Sequence, residues 1–133
     1  MAEQLPLTVL LVEDEAINRK ILSRILTRFV SQVWEAENGV EALERVEDLS
    51  PDVVITDLSM PKMDGLTLIR ELRSRGRDLP VVVLSAHNEA QILAEAGDAG
   101  MFRFLFKPVN IEALALGDIA GALGHRAKNR KFV

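Results

Sequence analysis

The feature that most constrains this chain is a repeated change of hydrophobic period. Short, nearly continuous apolar runs alternate with stretches whose apolar residues recur every three or four positions. Leu7 to Val12 is almost wholly apolar, as a strand buried on both faces requires. Ile17, Ile21, Leu22, Ile25, Leu26 and Phe29 follow at helical spacing and predict one buried stripe. Val33 to Ala36 reads as a short second strand, Asn38-Gly39 as a turn, and Val40, Leu43 and Val46 as the next helix face. Ser50-Pro51 ends that helix. Val53, Val54 and Ile55 are a β-branched run suited to a central strand. A loop with Pro61 and Gly65 leads to a helix face of Leu66, Ile69 and Leu72.

Val81 to Leu84 is the fourth strand and Met101 to Phe106 the fifth. Between them, Asn88 to Ala96 is a weak, alanine-rich helix whose exit Gly97 and Gly100 bracket. Ile111, Leu114, Ala115, Ile119, Ala122 and Leu123 make the last helix stripe. Gly117 and Asp118 lower that helix's own propensity, so packing must supply its stability. A strand followed by a helix, repeated along the whole chain, predicts an α/β fold with a parallel sheet covered on both faces. Ligands of such sheets sit at the carboxyl ends of the strands.

A length of 133 residues suits one domain, and 48% hydrophobic residues suit a folded core. The expected layout is a lead-in over 1–6, one domain over 7–123, and a basic tail or linker start over 124–133. Met1 favours a true start, and the residues after Leu123 are too few for an effector domain. The expectation is either a stand-alone unit or the amino-terminal piece of a longer protein whose linker begins in the basic tail. No apolar run reaches the ~18 residues of a bilayer span, and Met1 to Pro6 lacks the character of a secretory leader. The absence of cysteine excludes disulfides and thiolate metal sites, and a cytoplasmic location is expected. A net charge of −4 argues against direct nucleic-acid binding.

The residues that follow the strands carry chemistry. Glu13 and Asp14 follow the first, Asp57 the third, Ser85 the fourth, and Lys107-Pro108 the fifth. Crowded carboxylates repel one another unless a cation joins them. Hard oxygen ligands suit Mg²⁺ (or Mn²⁺), which is held by one or two carboxylates plus phosphate oxygens and waters. A carboxylate can act as nucleophile toward a phosphoryl group, with metal and lysine neutralising the transferred charge. A serine hydroxyl can donate to a phosphoryl oxygen. Each residue alone has an ordinary reading. Asp14 would cap the first helix, Asp64 would be a turn residue, Lys107 a surface lysine, His87 an exposed loop residue, Phe104 and Trp34 packing. Their joint placement after strands one, three, four and five favours phosphoryl capture.

The stretches LLVEDE, VVITDLSMPKMDG, VVLSA and FKP resemble, in order and spacing, the motif set of response-regulator receiver domains, over about Leu7 to Leu123. The resemblance implies a flavodoxin-like (βα)5 sandwich with strand order 2-1-3-4-5, and Asp57 as the phosphoacceptor. It implies that Asp14 and Asp57 bind Mg²⁺ directly with the Ser59 carbonyl, and that Glu13 acts through water. Lys107 would pair with the phosphoryl group, Ser85 would move toward it, and Phe104 would rotate inward as the aromatic switch. Lys107-Pro108 would be a cis peptide. Phe104 stands where many members carry tyrosine, so a phenol hydrogen bond is unavailable, and Ser59 and His87 occupy places that tune phosphoryl lifetime. The implied partners are a sensor histidine kinase or histidine phosphotransfer protein, and a downstream protein or output domain. The latter would meet the face made by the fourth helix, fifth strand and fifth helix. Helix four, which buries little apolar area, is the expected moving element. A small-substrate aspartate-nucleophile phosphatase commonly wants a second acid where Ser59 stands. A flavin mononucleotide carrier wants a hydroxyl- and glycine-rich loop where Glu13 and Asp14 stand. A receiver acting without phosphorylation would not need the full set of Glu13, Asp14, Asp57, Ser85 and Lys107.

Overall fold

A computed structural model describes residues 4–86, 90–107, 110, 113, 114, 117 and 121. Its elements run β1 (Leu5–Val12), α1 (Ala16–Leu26), β2 (Val30–Ala36), α2 (Gly39–Leu49), β3 (Val53–Asp57), α3 (Gly65–Ser74), β4 (Val81–Ser85), α4 (Ala90–Ala99) and β5 (Arg103–Phe106). The five strands form one parallel sheet in the order β2-β1-β3-β4-β5. This is the flavodoxin-like order expected from the resemblance.

Alternate residues of each strand serve opposite faces. Leu10, Val12, Val54, Val81 and Val83 pack on one face against Ala42, Leu43 and Val46 of α2, Leu68, Ile69 and Leu72 of α3, and Ala99 of α4. Leu7, Val9, Leu11, Val53, Ile55, Val82 and Leu84 pack on the other against Leu26 of α1 and Leu114. The chain thus crosses one face between β1 and β2 and the other between β2 and β3. That reversal puts the switch point of the sheet between β1 and β3, where a crevice opens at their carboxyl ends.

The helix stripes need correction. Ile17 and Ile21 are not buried: they are 70% and 52% exposed. The sheet covers only the arc of α1 that carries Ser23, Leu26 and the half-buried Leu22, so the adjoining isoleucine row faces outward. Val40 of α2 is likewise exposed, and Ala42 turns inward with Leu43 and Val46. Gly97 lies inside α4 rather than at its exit, which Gly100 makes with φ of 101°. Only Ala96 and Ala99 of α4 are buried, as its composition suggests. β1 starts at Leu5, whose amide donates to Phe29 O at 2.7 Å. β2 starts at Val30, and its exposed Ser31 and Gln32 hide it from an apolar-run search. β5 is shorter than expected, Arg103 to Phe106. Trp34 is half-buried packing, as read. Of the last helix stripe, Leu114 is buried and its amide donates to Asn110 O at 2.9 Å. Ile111, Ala115, Ile119, Ala122 and Leu123 lie outside the described residues.

Candidate functional site

The register aligns the strand ends. Val12 lies beside both Ala36 and Thr56, Asp57 beside Leu84, and Ser85 beside Phe106. Parallel pairing therefore brings the residues that end or follow β1, β3, β4 and β5 to one rim. Asp57 is the last residue of β3 and Ser85 the last of β4. Lys107 N–H donates to Ser85 O at 2.8 Å, which seats the lysine beside β4.

Three carboxylates meet at the crevice. Glu13, Asp14 and Asp57 each offer an oxygen, and the three oxygens lie within 4.8 Å of one another. Asp57 Oδ1 accepts from the Leu58 amide at 2.8 Å, and Lys107 Nζ donates to Asp57 Oδ2 at 3.1 Å. The same ammonium is 3.8 Å from Glu13 Oε1. α1 takes Glu15 as its N-cap, with no side-chain cap hydrogen bond, so Asp14 is not the helix cap that it resembles in isolation. Asp64, in contrast, caps α3 by accepting from the Thr67 amide at 2.8 Å, and is thereby assigned a structural role.

Glu13 is the anomalous member. It is only 3% exposed, and its Oε2 is buried with no hydrogen-bond partner. Burial, aided by the hydrogen bond and charge of Asp57, pushes its carboxyl up to about 7, while Lys107 pulls the other way. An orphaned buried carboxylate oxygen beside two more acids is a donor set that fits a hard divalent cation. Without a cation, the folded chain keeps a proton on Glu13 that the unfolded chain releases near pH 4.5. Folded protein then binds more protons than unfolded protein between about pH 4.5 and 7, so its stability falls as pH rises through that window. In chelator, Glu13→Gln is expected to match wild type near pH 4.5 and to exceed it at pH 8 by on the order of 3 kcal/mol. Urea unfolding at several pH values checks this, and parallel curves for the two proteins would refute it.

The loop after Asp57 is strapped down. Lys62 has a φ of 66° and Met63 N–H donates to Pro61 O at 2.7 Å, a tight turn of the strained sense. Met63 O then accepts from Gly39 N–H at 3.3 Å, joining this loop to the start of α2. Ser59 is exposed on the same loop, and Phe104 is half-buried against the α2–α3–α4 side of the core. His87 and Pro108 lie outside the described residues, and so does the Lys107-Pro108 peptide geometry. The residues that sequence reading missed are Arg19 and Glu35. Arg19 Nη1 donates to Glu13 O at 2.8 Å, and its Nε lies 3.3 Å from Glu35 Oε1. Nothing in their spacing marks them, because they meet only where α1 docks beside β2. Among the described residues no helix is long and apolar enough to cross a membrane.

Comparison with known proteins agrees with this fold. Residues 9–116 match the model of the response regulator receiver domain. The response regulator MprA of Mycobacterium sp. (strain KMS) is 39% identical over 110 residues, covering 83% of this chain and 48% of that protein. The chain thus spans about half the length of the curated relatives it matches. Among solved structures, the N-terminal domain of an uncharacterized protein from Wolinella succinogenes superposes with a TM-score of 0.84 at 31% identity, covering 93% of this chain and 99% of that one. The receiver domain of Francisella response regulator 1452 superposes with a TM-score of 0.83 at 25% identity, covering 90% and 98%.

Proposed function

Because this chain belongs to the response regulator receiver domain family, a signalling phosphoacceptor module of two-component systems, we propose that Asp57 accepts a phosphoryl group from a phosphohistidine donor in the presence of Mg²⁺. The observation that carries this reading is the convergence of Glu13, Asp14 and Asp57 with Lys107 Nζ 3.1 Å from the Asp57 carboxylate. Glu13, Asp14 and Asp57, with the Ser59 carbonyl, would hold the metal, Asp14 and Asp57 directly and Glu13 through water. When bound, Mg²⁺ supplies positive charge to the transferring phosphoryl oxygens.

An Asp57 carboxylate oxygen attacks phosphorus as the phosphorus–nitrogen bond of the donor breaks, and the leaving imidazole keeps that electron pair. The product is an aspartyl phosphate. Leu58 N–H and Lys107 hold the carboxylate in place, and Lys107 remains to pair with the added charge. Ser85 supplies a hydroxyl to the phosphoryl, and Phe104 turns inward from its half-buried place against the core. Ser59 and His87 are the positions where hydrolysis of the acyl phosphate would be tuned. α4, with only Ala96 and Ala99 buried, moves at low cost and re-forms the face that it shares with β5 for a downstream protein or output domain.

Intact mass after incubation with acetyl phosphate tests this. One phosphoryl group should be gained with Mg²⁺ and none with a chelator. Amide exchange of α4 and β5 should change in the phosphorylated sample. No gain from acetyl phosphate or from a phosphohistidine donor would defeat the reading, and unchanged exchange would defeat the switch.

The outward row of α1 supplies a place for the donor to dock. Ile17 and Ile21 are exposed and begin three residues beyond Asp14, so an apolar strip runs directly away from the rim. A partner must approach that rim to place its phosphohistidine over Asp57, and the strip lies beside the path. Replacing Ile17 and Ile21 together by serine should slow transfer from a histidine donor by roughly 10–100-fold. Uptake from acetyl phosphate should stay near wild type. Equal slowing of both reactions would mean that the substitution disturbs the site and not docking.

A further inference from the structure

The loop that presents Glu13 and Asp14 is held through its main chain. Glu13 N–H donates to Ala36 O at 3.0 Å, which extends the pairing of β1 with β2 by one residue. The carbonyl of the same residue accepts from Arg19 Nη1 at 2.8 Å. Arg19 sits in the first turn and a half of α1, where its amide donates to Glu15 O at 2.9 Å. Its side chain is 12% exposed, and its Nε is 3.3 Å from Glu35 Oε1 near the end of β2. Lys20 Nζ reaches the same oxygen at 3.2 Å, but that side chain is 72% exposed.

A guanidinium is a rigid fork, and here it faces two elements: Nη1 hydrogen-bonds the acidic loop, and Nε makes an ion pair, without a hydrogen bond, to Glu35 of β2. We propose that Arg19, anchored by Glu35, is a positioning residue for the divalent cation: by fixing the Glu13 peptide it sets how Glu13 and Asp14 present their carboxylates. The inference rests on the metal-site reading above. It has a sign that distinguishes it from simple electrostatics. A guanidinium beside an acidic cluster repels an incoming cation, so if Arg19 acted only through its charge, removing it would tighten Mg²⁺ binding. If it positions the loop, removing it weakens binding. A purely structural arginine would lower the unfolding temperature and leave the Mg²⁺ affinity of the folded chain unchanged.

Titration calorimetry of the whole chain with MgCl₂, at fixed ionic strength, separates these cases. Arg19→Met keeps the apolar stem and should bind Mg²⁺ roughly tenfold more weakly. Arg19→Lys keeps the charge and loses the fork, and should be weakened nearly as much. Glu35→Gln should weaken binding about threefold and Lys20→Met less than twofold, on the same scale of outer-partner effects. In chelator, the amides of Asp14 and Glu15 should exchange faster in Arg19→Met. At saturating Mg²⁺, acetyl phosphate uptake should return toward the wild-type rate, which places the loss in metal affinity and not in Asp57. Unchanged or tighter Mg²⁺ binding by Arg19→Met or Arg19→Lys would overturn the inference, and if Arg19→Met does not fold, Arg19→Lys and Glu35→Gln decide. A wild-type chain that takes up no Mg²⁺ would sink the metal-site reading itself.

Discussion

Asp57→Asn is expected to reduce phosphoryl uptake below about a thousandth of the wild-type rate, equivalent to roughly 4 kcal/mol or more of barrier. The amide is nearly isosteric with the carboxylate but offers phosphorus no comparable nucleophile, and it removes one of the three carboxylates at the rim. The substitution should leave the fold intact. Burial is the largest cause of the raised Glu13 carboxyl, and Asp57 adds to it through a hydrogen bond and through its charge. With asparagine in its place, the Glu13 charge is less opposed from that side. In chelator at pH 8 the variant should therefore unfold at the same temperature as wild type or a higher one, even though Lys107 loses an ionic partner at 3.1 Å. Intact mass and thermal unfolding on one sample decide between the outcomes. Phosphoryl gain on another residue would remove Asp57 from its role. A collapsed melting temperature would make the loss of uptake uninformative, and Asp57→Glu, which keeps the charge but shifts it by one methylene, would then be measured beside it.

Gly65→Ala should damage both fold and chemistry. A Cβ at Gly65 would stand 2.6 Å from Asp57 O and 3.1 Å from the Cα of Leu58, both backbone atoms. No flexible side chain can yield there. The Gly65 amide is also committed, donating to Leu58 O at 2.8 Å, so the helix start cannot simply slide away. The expected cost is about 3 kcal/mol, the upper part of the range for overpacking a tight site. Relief requires movement of the Asp57–Leu58 peptide, whose amide holds Asp57 Oδ1 at 2.8 Å. Uptake from acetyl phosphate should then fall by roughly 100-fold, the scale associated with misplacing a reacting group by about 1 Å. Gly97→Ala is the control. It lies inside α4 with nothing within 4 Å of its would-be Cβ, and should stabilise the helix by about 1 kcal/mol or less. If Gly65→Ala melted like wild type, the close approach of α3 to the strand end would not be rigid.

The proposed metal site, switch and donor surface all depend on one architectural fact. The carboxyl end of β3 is crowded from three sides: by the acidic loop after β1, by Lys107 after β5, and by the start of α3. A group added to Asp57 would meet fixed partners there, and on the proposed reading this would let a small covalent change bias a neighbouring element. Among the described residues, the neighbour least anchored by buried apolar side chains is α4, and its two buried residues are alanines. At its far end it is tied to α3, where Arg73 Nη2 donates to Gly100 O at 2.6 Å.

Sequence alone determined the order of the elements from β1 to β5, the doubly covered parallel sheet and the residues of the rim. Strands buried on both faces must read as unbroken apolar runs, such as Val81 to Leu84, and helices must show their period. The rim was legible because parallel pairing brings every strand end to the same edge, so Glu13, Asp14, Asp57, Ser85 and Lys107 converge whatever the details of packing. Tertiary structure decided how far each helix is covered and which distant polar groups meet. The isoleucine row of α1 has the composition of a core stripe, and only the reach of the sheet shows that Ile17 and Ile21 face outward. Asp14 and Asp64 are the same residue type near helix starts, yet only Asp64 caps, because the chain enters α1 through Glu15. The Arg19–Glu35 link joins residues 16 positions apart on different elements, at a distance set by strand register and helix docking. Local propensity and period are carried by neighbouring residues and can be read from the chain. Coverage and long-range polar contacts depend on where elements come to rest against each other, and no single stretch of sequence contains that.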